Sequence, residues 1–374
     1  MSNTPDDKIN KILDHYDIAG VPEDVHAFGN GHINDTLCVT YDNGGKKERY
    51  VLQKINKFIF PDAASLMENT VNVTGHIRNK VIAEGGDIKR EVLTVIPCKD
   101  GTLFHEDEDG DCWRVTYFIE GASSHDMAAG PEDFYITGRA FGHFQSQLSD
   151  YPAQTLHEVI PGFHNTRKRY EGFVNTVDAN AAGRADTCRD EIRFILERKE
   201  LAGYAMDSLD RGELPLRVTH NDTKINNLMI DDKTGVPICV IDLDTVMPGL
   251  AMFDFGDGIR TGASTAAEDE PELDKVSCDM ELYEAFARGF VEGCDGKLTE
   301  HEIDTLPMGA LGITYEQALR FLADYLEGDV YYKTAYPDHN LIRARTQIRL
   351  VQDMENKWEQ IQAIISRCKE ERQS

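Results

Sequence analysis

The stretch Thr219-His220-Asn221-Asp222-Thr223-Lys224-Ile225-Asn226-Asn227 and the apolar run that ends in Ile241-Asp242 constrain this chain more than any other feature. Asp222 comes just after a strand-like piece, Leu216 to Thr219, and Asn227 follows it at a fixed short distance. Strand-like segments at 227–231 and 238–243 then form a hairpin around Asp232-Lys233-Thr234-Gly235, with Asp242 at its far end. Two carboxylates and an amide are therefore delivered by strand ends and one turn.

Phosphoryl transfer needs this combination. A carboxylate beside the acceptor hydroxyl orients it and takes its proton, which suits Asp222. Oxygen ligands hold Mg2+ against the nucleotide phosphates, which suits Asn227 and Asp242. Lys224, close behind the base, offers positive charge to the transferring group. The spacing H-x-D-x4-N followed by a metal-binding Asp is that of a kinase catalytic loop. A metal-hydrolase reading, with His220, Asp222, Asp242 and Asp244 as ligands, leaves Asn227 unexplained. The expected co-substrate is ATP and the expected metal is Mg2+.

A chain of 374 residues is too long for one ordinary core and predicts two domains. The pattern divides near residue 120. Residues 1–120 read as a β-rich nucleotide-binding lobe, and residues 121–374 as a helical catalytic and substrate-binding lobe. The predicted class is α+β: a small antiparallel N-lobe, a larger helical C-lobe, and a ligand cleft between them. The formal charge of −27, from 39 basic and 66 acidic residues, repels nucleic acid and anionic lipid. The eight scattered cysteines contain no CxxC pair and read as reduced, buried thiols. With no basic, apolar leader and no long apolar run, a cytoplasmic, membrane-free monomer or weak homo-oligomer is expected.

Periodicity predicts helices at 6–16, 62–84, 131–150, 165–179, 188–203, 280–294, 313–333 and 340–371. Strands are expected at 25–28, 37–41, 49–55, 91–96, 103–104 and 113–119. The acidic run 105–111 reads as a hairpin turn with Asp109-Gly110 at its tip, because its glycine comes too early for a calcium loop. Glu268 to Glu272 reads as an exposed acidic loop.

Gly29-Asn30-Gly31-His32, between two early strands, lets backbone N–H groups approach phosphate oxygens. It lacks the G-K-[ST] of a Walker A loop, and no helix starts there. The following strand holds Gln53 and Lys54 on opposite faces, so only one of them faces the nucleotide. Glu68 is the candidate helical partner for a lysine there. The segment Trp113 to Gly121, with Tyr117 and Ile119, is expected to line the adenine.

The pieces Gly31–Asn34, Tyr50–Gln53, Ile59–Asp62, Arg217–Lys224, Ile241–Thr245, Phe253–Asp257, Gly262–Thr265 and Arg320–Asp329 resemble the aminoglycoside phosphotransferase and choline kinase branch of the protein-kinase-like fold. Within that branch they look like the N-acetylhexosamine 1-kinases, over almost the whole chain. The resemblance implies transfer from ATP to the anomeric hydroxyl of N-acetylglucosamine or N-acetylgalactosamine. It assigns Asp222 as the base, Asn227 and Asp242 as the Mg2+ holders, and His32, Arg320 and Tyr331 as sugar contacts. It favours Gln53 over Lys54 at the usual lysine position. Arg320, Asp324 and Glu327 are expected along one helix face. Choline, an amino alcohol or an aminoglycoside remains the alternative acceptor.

Overall fold

The computed structural model describes residues 7–29 and 34–372. Gly31 and His32, expected at the nucleotide and the sugar, lie outside the described residues. The chain forms two compact units. The first holds the residues up to Ser123 together with 155–161 and 229–247, and the second holds the rest.

In the first unit, β1 (Val21–Ala27), β2 (Asp35–Asn43), β3 (Lys46–Ile55), β4 (Val95–Ile96), β5 (His105–Glu106) and β6 (Cys112–Tyr117) form an antiparallel sheet in the order β1-β2-β3-β6-β4, with β5 on β6. The helix α1 (Asp7–Leu13) turns Ile9, Ile12 and Leu13 onto one face. They meet Val39, Tyr41, Leu52, Trp113 and Val115 in a common core. The register sets Gln53 opposite Thr36 and Arg114, and Lys54 opposite Asp35 and Trp113. The long helix α2 (Ala63–Glu84) is capped by Asp62, whose side chain accepts from the Ser65 N–H, and ends at Gly85 in the left-handed region. A smaller sheet joins β7 (Ala122–Ser123), β9 (Leu228–Asp231) and β10 (Pro237–Val240); β8 (Arg217–Thr219) belongs to the second unit. The strand expected at 91–96 is ordered as strand only at Val95–Ile96, and that expected at 103–104 appears at His105–Glu106.

The second unit is helical: α3 (Pro131–Gln147), α4 (Thr166–Ala179), α5 (Arg189–Leu196), α6 (Lys199–Asp210), α7 (Ala251–Gly262), α8 (Met280–Gly293), α9 (Glu300–Glu327), α10 (His339–Asn356) and α11 (Trp358–Glu371). The short strand β11 (Met247–Gly249) pairs with β8. Helices α3 and α8 cross through glycines. A Cβ at Gly138 or Gly142 would sit 2.3 Å from a carbonyl oxygen of α8, and one at Gly289 or Gly293 would collide with α3 in return. Such contact brings two backbones closer than any larger residue permits. The helix expected at 188–203 breaks into α5 and α6, and that expected at 340–371 breaks at Lys357. Helix α9 starts earlier than 313, behind a Thr299–Glu302 capping box, and runs through Pro307. It stops at Gly328 (φ 102°), so Tyr331 lies on a loop. Helix α7 was not expected from the sequence. Among the described residues, no helix is long and apolar enough to cross a membrane.

Candidate active site

In the second unit, β8 runs directly into the segment His220–Asn227, expected from the sequence to be catalytic. His220 is fully buried, edge-on to the rings of Phe141 and Phe144 at 5.6 and 5.8 Å. Its Nδ1 lies 3.3 Å from the Asp222 N–H. This histidine shapes the loop from inside. Asn221 adopts φ 64°, a left-handed turn that asparagine tolerates. The loop is fastened to α7. Asp254, fully buried, accepts the backbone N–H groups of His220 and Asn221 at 3.0 and 2.8 Å, and the Gln145 amide at 2.6 Å. Burial pushes the Asp254 carboxyl above its usual range, against His220 and these N–H donors. Asp257 accepts the Thr223 N–H at 2.9 Å and pairs with Arg260 at 3.1 Å.

Asp222 projects from this frame. Its carboxylate accepts from Asn227 Nδ2 at 3.0 Å and pairs with Lys224 Nζ at 2.6 Å. Burial raises its proton affinity, but Lys224, His220 and Asn227 together hold it below the ordinary carboxylate range. Lys224 is pulled down by burial and raised on balance by Asp222 and Asp257. The pair is therefore ionised at neutral pH. The Asn227 amide group spends its N–H donors on the Asp222 carbonyl and carboxylate, at 2.8 and 3.0 Å. Its Oδ1 has no protein partner among the described residues, and an amide oxygen suits a hard cation.

A second cluster on the same unit surrounds Arg320. Its guanidinium carbon lies 5.5, 5.6 and 6.0 Å from the ring centres of Phe163, Tyr332 and Tyr331. One turn earlier on α9, buried Glu316 binds His164 Nδ1 at 3.0 Å and the Thr166 hydroxyl at 2.6 Å. Burial alone would raise Glu316, but His164, Arg169 and Arg320 hold it at about 2. Asp324 does not face outward beside Arg320. Its two oxygens accept the N–H groups of Val330, Tyr331 and Tyr332 and the Asn340 amide, all within 2.7–2.9 Å. Glu327 accepts the Thr176 hydroxyl. The expected charged stripe is thus one cation and two structural carboxylates.

In the first unit, Lys54 pairs with Asp35 at 3.2 Å and Asp111 at 3.6 Å. Gln53, on the other face, accepts from Arg114 Nε at 3.0 Å and donates to the Thr36 hydroxyl at 3.1 Å. Glu68 binds His157 instead of any lysine. Lys54 and Glu68 therefore do not form the expected ion pair, because strand alternation turns Lys54 away. Asp242 sits at φ 57° and ψ 58°, directly before a tight turn over Leu243–Thr245. Asp244 in that turn makes a two-pronged ion pair with Arg114 and accepts Asn34 Nδ2 at 2.7 Å. Ile119 packs with Leu93, Met229, Cys239 and Ile241. Tyr117 is half-exposed, tilted against Tyr50, and Gly29 adopts φ 77°. The sequence reading missed Arg114, Asp254, Asp257, Arg260 and Glu316. An arginine inside the apolar strand Trp113–Ile119 was the available signal for the first.

Solved structures share this architecture. An aminoglycoside phosphotransferase from Alicyclobacillus acidocaldarius superposes with a TM-score of 0.51 at 13% identity, over 97% of this chain and 96% of that one. A choline kinase from Cryptosporidium parvum gives 0.55 at 15% identity, over 90% of each chain. A spectinomycin phosphotransferase in complex with ADP and spectinomycin gives 0.55 at 12% identity, over 93% and 98%. These likenesses define the fold class as α+β, two-lobed and protein-kinase-like. The sequence profile described as APH, phosphotransferase enzyme family, matches residues 24–290, more than half of the chain. The chain belongs to that family and is a phosphotransferase.

Proposed function

We propose that this enzyme transfers the γ-phosphoryl group of ATP to the anomeric hydroxyl of an N-acetylhexosamine, giving the sugar 1-phosphate. The observation that carries the choice of acceptor is Arg320. A choline site needs aromatic faces turned to the ligand's cation. Here the rings of Phe163, Tyr331 and Tyr332 surround the protein's own guanidinium. A cationic acceptor would be repelled there, whereas guanidinium N–H groups and tyrosine hydroxyls read the hydroxyl and amide oxygens of a neutral sugar. Nucleotide use is supported by the ADP complex of the spectinomycin phosphotransferase and by the GDP complex of an aminoglycoside 2'-phosphotransferase of the same fold.

In this reading the ionised Asp222 accepts the hydrogen bond of the acceptor hydroxyl, orients its oxygen toward the γ-phosphorus and takes the proton as the new P–O bond forms. Because its proton affinity is low, that transfer comes late, after the oxygen has begun to bond. Lys224 keeps Asp222 charged and offers its ammonium to the phosphoryl oxygens. Asn227 and Asp242 would hold Mg2+, which when bound neutralises the nucleotide phosphates. Gly29, Gly31, Gln53, Tyr117 and Ile119 would meet the nucleotide, and His32, Arg320 and Tyr331 the sugar. The test is ADP release from Mg-ATP with N-acetylhexosamines, hexoses, choline, ethanolamine and aminoglycosides. Preference for N-acetylhexosamines is expected; turnover only with choline or an amine-bearing drug would overturn the acceptor assignment.

A further inference from the structure

A protein kinase pairs a strand lysine with a helix glutamate to hold the nucleotide end of its site. Neither partner of that pair is in place here. The strand position carries Gln53, Lys54 is turned to Asp35 and Asp111, and Glu68 binds His157. From its buried interior, α2 contributes Met67 and Asn69, the latter donating to the Val246 carbonyl at 3.0 Å.

The same unit holds a different ion pair. Arg114 on β6 is Gln53's cross-strand partner, and its side chain is 5% exposed. Its Nε donates to Gln53, and both terminal nitrogens donate to Asp244, whose own side chain is 4% exposed. Asp244 also accepts from Asn34, directly before β2, and Asn34 in turn accepts the Asn56 N–H at 3.0 Å. Gln53 passes the chain on to Thr36. One network therefore ties Asn34, β2, β3, β6 and the turn that follows Asp242. A buried ion pair contributes little net stability over an apolar pair of equal volume, so its presence calls for a role in specifying geometry.

We propose that the Arg114–Asp244 pair replaces the strand-lysine–helix-glutamate pair as the device that positions Asp242 for the Mg-nucleotide. Arg114 is a positioning residue: its donors are engaged by protein groups, so it acts through Asp244. The inference rests on the kinase reading and is independent of which acceptor is used.

The test is calorimetric binding of a non-hydrolysable ATP analogue at several Mg2+ concentrations, with thermal unfolding alongside. Absence of Mg2+-dependent binding by the wild type would defeat the kinase reading itself, separately from the role of the pair. In the apolar pair Arg114→Met with Asp244→Leu, unfolding should stay close to wild type while nucleotide affinity falls about tenfold or more. KM for the acceptor should change little. A stable double variant with wild-type affinity and Mg2+ dependence would overturn the proposal. If the apolar pair does not fold, Arg114→Lys decides. It keeps the charge but loses the fork, so affinity should fall about threefold or more, and unchanged affinity refutes the role.

Discussion

Asp324 gives the sharpest way to separate acceptor binding from nucleotide binding. Its carboxylate takes four donors: the N–H groups of Val330, Tyr331 and Tyr332, and the Asn340 amide. Asp324→Asn preserves volume, but an amide offers one acceptor oxygen, so two of those donors would face an NH2 group. Each hydrogen bond to a buried charge is worth about 1.5–3 kcal/mol, so the loop bearing the two tyrosines loses about 3–6 kcal/mol locally. If roughly half of that must be restored when the acceptor binds, its KM rises about 10- to 100-fold. KM for ATP should stay within about threefold, since Asp324 touches no nucleotide residue named above. Steady-state kinetics in both substrates measure the split, and hydrogen exchange at 329–332 reports whether the loop has loosened. A loosened loop with unchanged acceptor KM would refute the assignment of Tyr331 and Arg320 to the acceptor.

Asp222→Asn should lower kcat about 10²- to 10⁴-fold while nucleotide affinity changes only a few-fold; activity within a few-fold of wild type removes Asp222 as the base. Glu316, depressed from its ordinary 4.5 to about 2, adds stability above pH 4.5 that is lost as pH falls toward 2. Glu316→Gln should therefore cost about 3 kcal/mol at pH 7 and flatten the acid limb of the unfolding profile, and an unchanged limb contradicts the pairing with His164 and Arg169. Gly142→Ala puts a Cβ 2.3 Å from the Phe290 carbonyl oxygen and should lower stability by about 2–4 kcal/mol. Gly75→Ala in α2 has open space and should be neutral or stabilising by up to about 1 kcal/mol, so equal effects in thermal melts would disprove the close helix crossing.

The proposed catalytic segment can be read locally: His220, Asp222 and Asn227 lie within a few residues, and in the fold Asn227 donates to the Asp222 carboxylate. The two-lobed class followed from where alternation gives way to helical periodicity. What stayed hidden depends on tertiary contact. Helix α7 has glycines and aspartates that disfavour helix, and packing overrides that preference: Gly256 lies against Gly309, and Asp254 and Asp257 bind the catalytic loop. Helix α9 begins at Glu300, before the expected 313, and continues through Pro307, which sits among buried residues; it ends at Gly328 in the left-handed region, short of the expected 333. The choice between Gln53 and Lys54 required the register across β3 and β6, which no local pattern supplies. The Arg114–Asp244 pair joins residues far apart in the chain, so the sequence offered only the oddity of a charge inside an apolar strand.

Transfer from Mg-ATP to a sugar's anomeric oxygen leaves a distinctive product. Its most direct test is two-dimensional proton–phosphorus NMR of the product formed with N-acetylglucosamine or N-acetylgalactosamine. A correlation between phosphorus and the anomeric proton is the expected result. Phosphorus coupled to any other position, or no phosphorylated sugar while choline or an aminoglycoside is modified, would contradict it.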